Sequence, residues 1–387
     1  MTARTHLRPR RAFALKAVDA QSALWRLDWV MLVAVAALGV IGTLLVWSST
    51  RTWALGSTGL VKKHALNLII GAVMCGAVAM IDHRMLRAYA PMAYLVTVVG
   101  LVLVATPVGT TVNGSHSWIM LGGGFAIQPS EFAKVGLILM LSMLLAQPTE
   151  GTDRPRGLDV LFALVLAAGT MGLVMLQPDL GTTLVLAVIT AAALVIGGVQ
   201  KRWIILLTLS VVAAGACVWV FDLLEPYQIA RFTAFLDPSV DPRGVGYNST
   251  QSLIAIGSGE LFGKGLFMGG QTTGRFVPEQ HTDFIFTVAG EEFGFLGSVT
   301  VVALLGVVLL RGLHIAKQCE DRFGTLVAGT IVCWLAFQSF VNIGMTIGIM
   351  PITGLPLPFV SYGGTSTFAN LIAVGMLQAI RIRERPF

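Results

Sequence analysis

Apolar runs of about 20 residues recur along the whole chain, and each matches the length an α-helix needs to cross the hydrocarbon core of a bilayer. Read with a window of about 19 residues, they fall near 27–48, 64–81, 88–106, 131–147, 158–176, 180–198, 203–221, 284–310, 323–349 and 362–380. Backbone in lipid must satisfy its own hydrogen bonds, so these runs read as helices. The expected fold is an all-α polytopic membrane protein of ten transmembrane helices, with a large outer loop, 222–283, between helices 7 and 8. Composition agrees: 55% of the 387 residues are hydrophobic and 12% are charged, against roughly 25% charged in soluble domains. An ordinary soluble globular fold is excluded.

The 26 Lys and Arg outnumber the 20 Asp and Glu by six. No basic face with interleaved aromatics lies outside the spans, so nucleic acid is not an expected partner. The excess instead orients the chain. With the basic tail (Arg4, Arg8, Arg10, Arg11, Lys16, Arg26) inside, 18 of the 26 basic residues fall on the cytoplasmic side, as the positive-inside rule requires. Both termini are therefore expected in the cytoplasm. The domain reading is a basic tail over 1–26, a transmembrane domain over 27–381 and a C-terminal tail over 382–387. The first apolar run is too long for a signal-peptide core and reads as an uncleaved anchor. Four cysteines (Cys75, Cys217, Cys319, Cys333) show no C-x-x-C spacing, which argues against a zinc site or a disulfide framework.

Most connections are short, whereas 107–130, 222–283 and 350–361 are long or unusual in composition, which directs function to the outer face. Four runs there carry chemistry. In Pro278 to Phe286, Asp283 stands immediately before a long apolar span. A partly desolvated carboxylate at such a boundary is a better proton acceptor, with nearby cations pulling the other way; on physics alone, capping of the following helix is the simpler explanation. Glu291 and Glu292 lie deeper in that span, about 12 Å along an unbroken helix, with their role open. In Gln128 to Lys134, Pro129 or Ser130 opens a helix whose first turns hold Glu131 and Lys134, able to pair with each other or to face a cavity. Gln177-Pro178-Asp179-Leu180-Gly181 is a tight turn with an acid that can cap or act. Pro351 to Pro358, followed by Ser361-Tyr362-Gly363-Gly364, is a Pro/Gly-rich outer loop that can be rigid or re-entrant and offers backbone donors. Within 222–283, Ser249 to Ile256 can form a short interfacial helix or belong to a solvated loop.

These four motifs, in this order and on ten spans, resemble the SEDS (shape, elongation, division, sporulation) family. His281-Thr282-Asp283 and Pro356-Leu357-Pro358 are more similar to its elongation-type (RodA-like) members than to its division-type (FtsW) members. The resemblance implies a peptidoglycan glycosyltransferase that polymerises lipid II at the outer face of the cytoplasmic membrane, for cell elongation and rod shape. It further implies a class B penicillin-binding protein as transpeptidase partner and Asp283 as the essential acid. The family's other important positions carry over to Glu131, Lys134, Arg231 and Asp179. Ser130, His281 and Lys264 are further candidates for substrate binding. One departure stands out: many members have an arginine before the tryptophan of the first outer motif, where this chain has Ser117-Trp118.

The chemistry fits. A sugar hydroxyl attacks the anomeric carbon of a second lipid-linked sugar, and polyprenyl pyrophosphate leaves as an anion. The leaving group needs cations and the attacking hydroxyl needs one base, so one carboxylate suffices. Lys134, Arg231, Arg243, Lys264 and Arg275 form an outer basic set for the pyrophosphates. No cofactor motif is present, and a divalent cation held by outer acids is an open alternative. The polyprenyl tails are expected in lipid-facing grooves between spans. A lipid II flippase is the main competing function, and a non-catalytic scaffold is the third.

Overall fold

The computed structural model describes residues 25–52, 58–112, 115–122, 125–148, 154–220 and 244–383, together with positions 229, 233, 235 and 237. Arg231 and Arg243 lie outside the described residues. The elements run α1 (Trp29–Thr50), α2 (Gly59–Met80), α3 (His83–Val104), β1 (Thr110–Val112), β2 (Ser115–Gly122), β3 (Phe125–Ile127), α4 (Pro129–Leu145), α5 (Gly157–Met175) and α6 (Leu180–Ile196). They continue with α7 (Lys201–Val220), α8 (Val245–Ser258), α9 (Gly270–Gly274), α10 (Ile285–Gln318), α11 (Arg322–Thr346) and α12 (Gly364–Arg383). The starts are chemically marked. Asp28, Asp179 and Asp321 each accept a backbone N–H from the first turn of the helix they precede, and Pro129 opens α4 where its missing N–H costs nothing.

Six helices among the described residues are long and apolar enough to cross a membrane: α1, α2, most of α3, α5, α10 and α11. Their packing inverts that of a soluble bundle. Val33, Val40, Ile69, Val73, Leu95, Phe162 and Leu310 are exposed, whereas Glu131, Lys134, Gln338 and Asn342 are buried. So broad an apolar exterior is stable only in an apolar solvent. The chain is an integral membrane protein. Helices approach closely where side chains are small: a Cβ on Gly375 of α12 would lie 2.6 Å from the Cys75 carbonyl oxygen of α2.

Two departures from the sequence expectation matter, and one open alternative is decided. The fold is predominantly helical but not wholly so, because β1, β2 and β3 form an antiparallel sheet in that order, with Thr110 opposite Trp118 and Ile119 opposite Ile127. Of the two alternatives for Ser249 to Ile256, the helix is present, as part of α8, and it is docked: Ser252 is fully buried and donates to the Thr346 carbonyl oxygen of α11 at 2.6 Å. Finally, α10 is broken at Gly294, whose φ of 66° and ψ of −161° suit only glycine. Glu260 and Leu261 supply carbonyl acceptors to Phe295 N–H and Leu296 N–H at the break. A Cβ at Gly294 would sit 2.2 Å from Gly263 N.

Candidate active site

A cavity of about 270 Å³ opens at the end of the bundle that carries the sheet. All four motifs line it, through Gln128 and Glu131, Pro178 and Asp179, Glu279 and Asp283, and Pro356 and Tyr362 to Gly364. Ser117 and Trp118 of β2 complete one wall. Local structure sets each group. Gln128 N–H donates to Thr365 Oγ1 at 3.1 Å, fixing the strand-to-helix entry against α12 and presenting Glu131 from the first turn of α4. Asp179 caps α6 through Thr182 N–H at 2.9 Å and accepts from Gln128 Nε2 at 3.2 Å, which joins two motifs directly. Glu279, at φ 48°, accepts the Asp283 N–H at 3.1 Å and makes the turn that delivers Asp283. The helix cap after it is Phe284, so Asp283 is not the N-cap of α10. Its Oδ2 lies beside Gly354, where a Cβ would be 3.5 Å away.

The electrostatics are lopsided. Glu131, Asp179, Glu279 and Asp283 all line the cavity, and no Lys or Arg is among its described lining residues. Lys134 is consumed behind the wall: its Nζ donates to Glu131 Oε2 at 2.7 Å, both side chains are almost wholly buried, and the ammonium stands 5.0 Å from the Trp334 ring. The protein that surrounds Asp179 raises its carboxyl pKa, mainly by desolvation; Glu131 pushes the same way, and the Thr182 hydrogen bonds and Lys134 push against it. Among the described residues no group of three or more His, Cys, Asp or Glu side chains is placed to hold a metal ion.

Other sequence candidates lie apart from the cavity wall. Ser130 is fully buried behind it. His281 is buried, its ring 5.7 Å from that of Tyr362, and its carbonyl oxygen accepts the Tyr362 N–H at 2.9 Å. It therefore braces two motifs, and burial lowers its pKa below 6.5 despite the nearby Glu279. Lys264 does not line the cavity. Its Nζ is 3.7 Å from Glu291 Oε1, because Glu291 and Glu292 fold the preceding loop onto α10. Glu291 accepts from Gln271 N–H and Thr272 N–H, each at 2.8 Å, and Glu292 from Phe267 N–H at 3.2 Å and from the Ser48 hydroxyl. These two acids thus have a structural role. Sequence reasoning also passed over Gln338 and Asn342 of α11, two amides four residues apart inside an apolar run. That spacing was the available signal, because buried amides need partners.

The sequence profile of the family described as cell cycle protein, which groups FtsW, RodA and SpoVE, matches residues 28–385. Peptidoglycan glycosyltransferase MrdB of Escherichia coli (strain K12) is 36% identical over 359 residues, 93% of this chain and 94% of that protein. Stage V sporulation protein E of Bacillus subtilis (strain 168) is 36% identical, covering 90% of this chain and 95% of its own length. Among solved structures, a chain of a peptidoglycan synthase complex that coordinates polymerization and crosslinking superposes with a TM-score of 0.77 at 30% identity, over 92% of this chain and 97% of its own. The rod shape determining protein RodA of Thermus thermophilus gives 0.69 at 28% identity, over 93% and 98%. Sequence and architecture agree over nearly the whole length, and the chain belongs to the FtsW/RodA/SpoVE family, the one also known as SEDS.

Proposed function

We propose that this protein is a peptidoglycan glycosyltransferase that polymerises lipid II, with Asp283 as general base. The observation that carries the reading is the meeting of four motifs, distant in sequence, around one cavity with the Asp283 carboxylate at its wall. The acceptor sugar hydroxyl gives its proton to Asp283 as its oxygen bonds to the anomeric carbon of the donor. The bond from that carbon to the pyrophosphate oxygen breaks, and polyprenyl pyrophosphate departs with the electron pair. One displacement inverts the anomeric centre. A positioned base contributes on the order of 10²–10⁴-fold to such a step. The acids of the wall repel pyrophosphate, so its charge is met from elsewhere: by Arg231 and Arg243 of the segment before α8, or by a divalent cation. Lys134 acts indirectly, by holding Glu131 in place.

In this reading the chain crosses the cytoplasmic membrane of a bacterium ten times, with the sheet end and the segment 222–283 outside. The tails 1–26 and 382–387 are cytoplasmic, and 27–381 form the transmembrane domain. The elongation role follows the RodA-like motifs. A transpeptidase of the penicillin-binding class is the partner, supported by the synthase complex that contains a similar chain. An apolar groove of about 820 Å³ between α1, α2 and α12 faces lipid and suits acyl or polyprenyl chains. It carries no titratable group fit for catalysis. The acids that face a cavity lie at one end of the bundle, which supports an enzyme over a flippase.

Polymerisation of purified lipid II by the solubilised protein, alone and with its transpeptidase, tests the proposal. Wild type forms polymer; Asp283→Asn forms none, yet still binds lipid II and unfolds at the same temperature. Equal polymer from both proteins refutes Asp283 as the base, and none from wild type with partner and divalent cations present refutes the enzyme.

A further inference from the structure

One face of α11 is polar deep inside the apolar bundle. Trp334, Gln338 and Asn342 follow one another at four-residue spacing, which stacks them along one side of the helix, and each is fully buried. Their partners are specific. Asn342 Nδ2 donates to the Asp283 carbonyl oxygen at 2.8 Å and to the Leu355 carbonyl oxygen at 2.7 Å. A primary amide has two N–H donors and only its nitrogen can face two carbonyls, so both donors are committed and the orientation is fixed. Four residues earlier, Gln338 Nε2 donates to the Pro356 carbonyl oxygen at 2.8 Å. Its Oε1 accepts from Trp334 Nε1 at 2.8 Å and from Lys134 Nζ at 3.4 Å.

Along α11 the two amides thus hold the buried Lys134 and Glu131 pair, the proline loop at Leu355 and Pro356, and the backbone of Asp283. The same loop presents Gly354 to the Asp283 carboxylate. Asn342 Oδ1 has no partner among the described residues. An apolar residue at 342 would leave the Asp283 and Leu355 carbonyl oxygens without these donors, and a stranded buried acceptor costs about 1–3 kcal/mol. The asparagine therefore fastens the Asp283 backbone to the proline loop.

We propose that Asn342 and, through the same ladder, Gln338 are positioning residues for the transfer reaction. By cross-linking Asp283 to the Leu355 to Pro356 loop they hold its carboxylate in register with Glu131 across the cavity. This rests on Asp283 being the base, so the test keeps the two apart. Wild type, Asp283→Asn, Asn342→Leu and Gln338→Leu are compared as full-length proteins with the transpeptidase present. Steady-state polymerisation of lipid II is normalised to folded protein. A misplacement near 1 Å can cost on the order of 10²-fold; Asn342→Leu accordingly lowers kcat by about 100-fold and leaves KM for lipid II within about twofold. Gln338→Leu, one link further away, lowers kcat by about tenfold.

Wild-type kcat in folded Asn342→Leu overturns the inference, as does a raised KM with kcat unchanged. If Asp283→Asn polymerises like wild type, the base assignment falls instead, whatever Asn342 does. Should Asn342→Leu not fold, Asn342→Ser decides. Its one hydroxyl donor can hold one carbonyl, so an intermediate kcat at unchanged KM supports positioning and wild-type kcat overturns it.

Discussion

The two ends of the helix bundle use the same residue types to opposite purposes. At the end away from the sheet, Asp28, Arg311 and Gln378 tie α1, α10 and α12 together. The Arg311 Nε lies 2.8 and 3.0 Å from the two Asp28 carboxylate oxygens, and Gln378 Oε1 accepts the Asp28 N–H at 2.8 Å. Nearby, Arg383 donates to the Met80 and Ile81 carbonyl oxygens, each at 2.7 Å, and closes the open end of α2. These polar groups engage one another or backbone carbonyls, and none of them lines the cavity where the four motifs meet. At the sheet end, four carboxylates face a shared cavity and the nearest lysine is locked behind them. Closed pairs hold helices together, whereas acids arranged around a void are ready for a ligand. Polarity inside a membrane bundle therefore marks a site where it converges on space, and polar groups buried behind that space hold its walls.

Two charge removals sharpen this contrast. The larger effect belongs to Lys134→Met, which strands the buried Glu131. Loss of one partner of a buried pair costs about 3–5 kcal/mol, and polymerisation per folded molecule falls as well, because Glu131 lines the cavity. Thermal unfolding in detergent and lipid II turnover read the two losses separately. Arg311→Met removes the partner of an equally buried Asp28, but Asp28 still accepts the Met31 N–H. Charge-assisted hydrogen bonds of this kind contribute about 1.5–3 kcal/mol, so the unfolding midpoint drops less. Turnover per folded molecule stays at the wild-type level. If Arg311→Met instead lowers turnover in folded protein, the ends are coupled and the contrast breaks.

Much of this was legible in the sequence, and the limits have physical causes. Helix positions follow from run length and from caps such as Asp28, Asp179 and Pro129, which act within a few residues. The sheet is not legible because β1 and β3 have three residues each, too few to show alternation, and the eight of β2, Ser115–Gly122, do not alternate polar with apolar. The break in α10 was missed because Gly294 is ordinary until Glu260 and Leu261 return to satisfy the interrupted backbone. Glu291 and Glu292 were left open for the same reason: their partners, Gln271, Thr272 and Phe267, reach them only once the loop has folded back. The site residues were visible one by one as polar groups beside apolar spans. Their convergence was not, since the contacts that create it, such as Gln128 with Asp179 and Gln128 with Thr365, join positions 51 and 237 residues apart.

The smallest expected effect comes from His281, which braces the Asp283 turn against Tyr362 without lining the cavity. Burial lowers its folded pKa below 6.5, the value near which it titrates in an unfolded chain. Between those two values the unfolded state binds the extra proton, so stability rises with pH in that window. The contribution is full above pH 6.5 and is lost as the pH falls below it toward the folded value. One proton limits the slope to about 1.4 kcal/mol per pH unit. The unfolding midpoint measured from pH 7.5 down to about pH 5 should therefore decline more steeply in wild type than in His281→Gln, which cannot titrate. Parallel curves would show that protonation of His281 is not resisted by the fold and that its packing on Tyr362 is loose. A steeper wild-type curve, with polymerisation falling in step, would place the brace in the working site as well as in its stability.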